Sequence, residues 1–179
     1  SELYMCGIID PKGKFIREGK RIRHDQYGMG SYVIAFEEEA GSVKDVEITE
    51  VDIDNFIRAK GAIFSAIRTM LGSLDFDVSM IDHVYVAGGI GSGINMENAV
   101  NIGMFPDVPL DKFHYIGNSS LSGAYVMLLS TKAEKKTYEL ASNMTYMELS
   151  TVPTYMDEFV GSCFIPHTDT GLFPNVKQR

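Results

Sequence analysis

Apolar residues recur at intervals of three and four along Ile53, Phe56, Ile57, Ala59, Ile63, Ile67, Met70 and Leu71, a spacing that predicts a long amphipathic helix. Thr49 stands where an N-cap belongs, Glu50 and Asp52 fall in the first turn, where the helix dipole favours acids, and Gly72 is placed to end it. Beyond it the period changes. Val84-Tyr85-Val86-Ala87 is an apolar β-prone run that stops at Gly88 and Gly89, passes through Ile90-Gly91-Ser92-Gly93-Ile94-Asn95 and leads into Met96-Glu97-Asn98-Ala99-Val100. This reads as strand, glycine turn and helix, the helix running over 96–104 and closed by Gly103 and Pro106. Lys112 to Ile116 predicts another strand, and Gly117-Asn118-Ser119-Ser120 leads into Leu121, Ala124, Tyr125, Met127, Leu128 and Leu129 at helical spacing. Two such units in succession predict a parallel α/β layer.

The flanking segments are less regular. Leu3, Tyr4 and Cys6 to Ile9 read as the end of an amphipathic helix, so residues 1–10 are expected to be the remnant of a helix beginning upstream. Asp10 to Lys14 is a turn, and Lys14 to Gly30 an exposed, irregular connection. Ser31 to Phe36 and Val46 to Thr49 predict two adjacent strands, with Glu37, Glu38 and Glu39 as a solvated turn between them. Thr131 to Ala141 predicts a charged helix, Met144 to Leu149 alternates like a half-exposed strand, and Val152 to Phe164 returns to helical spacing. His167 and Asp169 are expected to form a hydrogen-bonded pair that fixes an ordered tail.

The 179 residues fit a single domain, and 45% hydrophobic with 22% charged residues is a globular balance. A net charge of -8 sets the surface field against polyanions, so nucleic acid is not an expected partner. No apolar run reaches the roughly 20 residues that cross a bilayer, and the first residues do not form a signal peptide, so no membrane association and a cytoplasmic location are expected. Cys6 and Cys163 stand in apolar surroundings and are expected as buried, reduced thiols. His24, His83, His114 and His167 are scattered, none three or four residues from another, so a histidine metal site is not expected.

The glycine turn admits several readings. Gly89, Gly91 and Gly93 give G-x-G-x-G rather than G-x-G-x-x-G, and the next strand ends at Gly117-Asn118 with no ribose-binding acid, so the dinucleotide fingerprint fails twice. No lysine follows the glycines as a phosphate loop requires. There remain a site where Gly88 and Gly89 approach a nucleoside while another lobe holds the phosphates, and a turn that only packs a helix on a sheet. In the long helix, Ala59, Gly61, Ala62 and Ala66 permit close approach of a neighbour, and Lys60 among them is expected at the surface, from where its ammonium could reach across a cleft.

Val84 to Ser92 resembles the adenosine motif of the superfamily that contains acetate and sugar kinases, heat-shock chaperones and actin. Ala59-Lys60 resembles the helix that faces the adenosine in the chaperones, and Asn118 to Ala124 its second connecting helix. More narrowly, the chain resembles the C-terminal part of the reductive activators of corrinoid proteins, the RACo and RamA-like family. The stretches that carry this are Gly88 to Ser92, Met96 to Ala99, Ile102-Gly103, Phe105 to Asp107, Tyr115 to Tyr125, Glu148 to Ser150, Met156 to Phe159 and Phe164 to Thr168.

The resemblance implies an α/β, actin-like ATPase (ribonuclease H-like) subdomain, a sheet with flanking helices, spanning 1–179 as an incomplete fragment. It implies the adenosine side of an ATP site in a protein that reduces cobalt(II) corrinoid to cobalt(I) and so reactivates corrinoid proteins of methyl transfer. Gly88, Gly89, Ile90, Gly91 and Ser92 would meet the nucleoside, Lys60 the ribose or adenine edge, and Asn118 and Ser119 would line the same face. ATP with Mg²⁺ belongs to the complete protein, an iron-sulfur cluster only to an absent N-terminal domain, and a corrinoid protein and a second copy of the chain are the implied partners. Neither phosphate-binding hairpin of the superfamily occurs in these residues, so the chain alone is expected to be inactive, with no catalytic residue assigned. The alternative is a dimerisation or corrinoid-protein docking module with a vestigial nucleotide site.

Overall fold

The computed structural model describes residues 1–176, with Ile90 described in its backbone only. The chain begins with a short helix α1 (Glu2–Met5), whose Tyr4 is buried, and a turn that brings Ile9 into a bridge with Phe15. Strands β1 (Ile22–His24), β2 (Gly30–Ala35) and β3 (Val46–Thr49) follow, with the short helix α2 (Glu37–Ala40) between β2 and β3. All pair antiparallel in the order β1-β2-β3. The expected irregular connection over 14–30 thus contains a strand. Ile22-Arg23-His24 has no alternating pattern of its own and is ordered by pairing with Tyr32, Ser31 and Gly30.

Helix α3 (Glu50–Ser73) is the backbone of the structure. Thr49 and Asp52 cap it reciprocally: Thr49 Oγ1 accepts from the Asp52 amide at 3.2 Å, and Asp52 accepts from the Thr49 amide at 2.9 Å. Its buried stripe is Ile53, Ile57, Lys60, Gly61 and Phe64, a helical period with a lysine in the middle. Phe56, Ile63 and Met70, which the spacing had placed with the apolar positions, lie exposed beside that stripe.

Strand β4 (Val84–Ala87) runs into the glycine turn, a 3-10 turn over Ile90–Gly93 and helix α4 (Met96–Asn101), capped by Asn95. Strand β5 (Phe113–Gly117) pairs parallel with β4 and leads into α5 (Ser119–Leu129), then α6 (Thr131–Ser142). Residues 144–148 are irregular, and the alternating strand expected there does not form, because alternation without a neighbouring strand leaves the backbone unpaired. Helix α7 (Tyr155–Ser162) packs on α3, where Gly61 permits contact: a Cβ there would stand 3.1 Å from the Ser162 carbonyl oxygen and 3.2 Å from Cys163 Sγ.

One core cluster joins Tyr4, Ile9, Ile53, Ile57, Ala99, Ile102, Met104 and Ile165; a second joins Phe64, Val100, Phe173 and Val176. The C-terminal segment therefore threads between α3 and α4. Cys6 is exposed and Cys163 half-buried, both free, which corrects the expectation of two buried thiols; burial pushes the Cys163 thiol up. Among the described residues no helix is long and apolar enough to cross a membrane.

Candidate functional site

Parallel strands leave their carboxyl ends side by side, and in open α/β sheets that end is where ligands bind. Here both strands end in glycine with left-handed backbone: Gly88 at φ 94° after β4 and Gly117 at φ 69° closing β5. The Gly88 amide donates to the Gly117 carbonyl at 2.8 Å, tying the two ends together. The register shifts by one residue here, from Val86 opposite Tyr115 to Ala87 opposite Gly117, so the strand ends bend apart from a regular ladder.

Over this junction lies open space. A Cβ at Gly88 or at Gly89 would meet nothing within 4 Å. Beneath it the turn is tightly held, since a Cβ at Gly91 would stand 2.9 Å from both the Tyr115 ring and Val86. The Tyr115 hydroxyl donates to the Gly88 carbonyl at 3.0 Å, and Ser92 Oγ to the Gly89 carbonyl at 2.7 Å. Asn118 Oδ1 accepts from the Leu121 amide at 3.0 Å and caps α5. The result is a backbone shelf that, among the described residues, is open for 4 Å around a Cβ at Gly88 or Gly89, with the Tyr115 ring packed against Gly91 and bonded to the Gly88 carbonyl.

Of the residues expected at the site, Gly88, Gly89, Gly91 and Ser92 form this turn, and Asn118 and Ser119 follow directly on the adjoining Gly117. The Ile90 side chain lies outside the described part. Lys60 is elsewhere. It is fully buried, and its ammonium donates to the Phe164 carbonyl and, at 2.7 Å, to the Pro166 carbonyl. This corrects its expected surface position and removes it from a ribose or adenine edge: position 60 shares the stripe of Ile53, Ile57 and Phe64, and the C-terminal segment covers it. Burial pulls Lys60 from its ordinary 10.5 to about 7, with Cys163 opposing.

Tyr115 is the support residue that spacing along the chain did not single out; its signal lies in the pairing, which sets it opposite Val86 under the turn. The tail is fixed by His167, but through the backbone: the Asp169 amide donates to Nδ1 at 2.9 Å, and the Asp169 carboxylate accepts from the Gly171 amide. Nε2 of His167 is buried without a hydrogen bond, 3.6 Å from Glu158, and burial lowers its pKa against the pull of that carboxylate.

A family model described as the C-terminal domain of RACo, the ASKHA domain, matches residues 1–177. A solved structure of a reductive activator for corrinoid, iron-sulfur protein aligns with TM-score 0.88 at 50% identity, covering 97% of this chain and 28% of that one. The corrinoid activation enzyme RamQ of Eubacterium limosum is 25% identical over 166 residues, 88% of this chain and 28% of its own length. A Co(II) methylated amine-specific corrinoid protein reductase of Methanosarcina barkeri is 27% identical over 129 residues, 71% of this chain and 23% of its own. The chain thus spans about a quarter of the length of the curated relatives it matches. With the family match running over nearly every residue and the same fold in the solved structure, the chain belongs to the family of C-terminal ASKHA domains of RACo, with the α/β architecture of that family.

Proposed function

We infer that the shelf between β4 and β5 is the adenosine side of an ATP site, in a protein that reactivates corrinoid proteins by reducing cobalt(II) to cobalt(I). The observation that carries this is the open space above Gly88 and Gly89 at the tied carboxyl ends of two parallel strands. That opening leaves the backbone of Gly88 and Gly89 accessible to a flat base or ribose. Gly88, Gly89, Gly91 and Ser92 supply the surface, Asn118 and Ser119 its edge, and Tyr115 its support. The names of the relatives, which concern corrinoid activation and reduction, support the wider role.

Among the described residues no group of three or more His, Cys, Asp or Glu side chains is arranged to hold an ion, and the two cysteines do not assemble a cluster. In this reading phosphates with Mg²⁺, and an iron-sulfur centre, belong to other parts of a polypeptide of the relatives' length. ATP free energy would there bias a conformation or complex that makes the low-potential reduction of cobalt accessible. Calorimetric titration of such a polypeptide with ATP, ADP and NADH tests this: heat with the adenine nucleotides is expected, and heat with NADH alone contradicts it.

A second reading, a dimerisation or corrinoid-protein docking module, is favoured by one feature. Helix α5 exposes Leu121, Tyr125, Val126, Leu128 and Leu129, more apolar surface than an isolated helix face in water needs. Sedimentation of the chain with and without its corrinoid protein separates the two readings.

A further inference from the structure

We propose that His83 and His114 together form a two-histidine binding site for a divalent transition-metal ion, Cu(II) best and Ni(II) next. The two residues are 31 apart in the chain, but the parallel register sets Tyr85 opposite His114 and brings His83, two residues before Tyr85, onto the same sheet face. His83 Nδ1 and His114 Nε2 are hydrogen-bonded to each other at 2.8 Å, one neutral ring donating and the other accepting according to tautomer. A metal with bonds of about 2.0–2.1 Å needs its two nitrogens about 2.9 Å apart at a right angle and about 3.3 Å apart at a tetrahedral one. The observed separation is that of the right angle of tetragonal Cu(II) or Ni(II) and suits Zn(II) less; on binding, the donating ring shifts its proton to its other nitrogen and both rings turn so that their lone pairs converge on the ion.

The Tyr85 ring lies beside both imidazoles, 5.9 Å from His83 and 5.4 Å from His114, centroid to centroid. The pair is solvent-exposed, so water or an outside ligand completes the coordination that two protein nitrogens leave open. It also lies at the opposite end of the strands from the glycine shelf. Five residues of strand from His83 to Gly88 correspond to about 16 Å, so this ion is not the one that accompanies a nucleotide. Metal here would clamp β4 to β5 from the end where Lys112 already donates to the Ile81 carbonyl.

The test is titration of the 179-residue chain, its exposed Cys6 thiol first blocked with iodoacetamide so that it cannot reduce the ion, with Cu(II) against glycine as competitor, read by electron paramagnetic resonance, alongside H83Q and H114Q. One ion per chain with two imidazole nitrogens in its spectrum is expected, with affinity at least tenfold weaker in each variant. The nitrogen count on the unsubstituted chain stands even if a variant folds poorly. No Cu(II) binding, one or no imidazole nitrogen, or a loss below tenfold in either well-folded variant overturns the proposal.

Discussion

Lys60 on α3 donates to the carbonyl of Pro166, 106 residues further along the chain, at 2.7 Å, and to that of Phe164 on the other side of Ile165. This joins the longest helix to the C-terminal segment at a point without solvent. The same Pro166 carbonyl lies against Gly103 after α4, so one residue ties together α3, α4 and the tail.

The lysine makes stability depend on pH. It titrates near 10.5 when unfolded and near 7 in the fold, so between those values the unfolded chain holds a proton that the folded chain lacks. Stability from this group therefore rises as pH goes from 7 to 10.5, by at most about 1.4 kcal/mol per pH unit, and is level below 7. Urea denaturation at pH 7, 8 and 9 should show the rise, and K60M should flatten it. K60M also leaves two carbonyls without their donor, at about 1–3 kcal/mol for each that stays dry.

Gly103 has φ 73°, and a Cβ there would stand 2.0 Å from the Pro166 carbonyl oxygen. Both strain and clash act together. G103A is expected to cost about 3–5 kcal/mol or to prevent folding, measured by the urea midpoint.

Within the shelf, two glycines should behave oppositely. Gly89 has φ -63° and open space above it, so G89V should change stability by less than about 0.5 kcal/mol while abolishing nucleoside contact. G91A pushes into Tyr115 and Val86 and should cost about 1–3 kcal/mol. Thermal melts and nucleotide titrations of the two variants check this.

N118A removes the cap of α5 and should destabilise that helix by about 0.5–2 kcal/mol. Amide exchange at Leu121, whose N–H the cap accepts, is the direct readout and should accelerate.

The elements around the shelf were legible because each carries its own signal. β4, α4, β5 and α5 each show a run of one period bounded by glycine or asparagine, and Thr49 with Asp52 marked the start of α3. What escaped depends on pairing. β1 is a strand only because β2 lies beside it, and 144–148 alternates without a partner. The burial of Lys60 could have been read: position 60 follows Ile57 by three and precedes Phe64 by four. Its charge argued for solvent, and the carbonyls that answer that charge come from the far end of the chain. The meeting of His83 and His114 was illegible for the same reason, since only the parallel register creates it.

The central claim is that adenosine rests on the glycine turn. Amide chemical shifts of these residues, labelled within a polypeptide of the relatives' length and followed as ADP is raised to millimolar concentration, test it most directly. Perturbations centred on Gly88, Gly89, Gly91, Ser92, Asn118 and Ser119, and absent in G89V, are the predicted result; no shifts there, or shifts centred on β1 to β3, would contradict it.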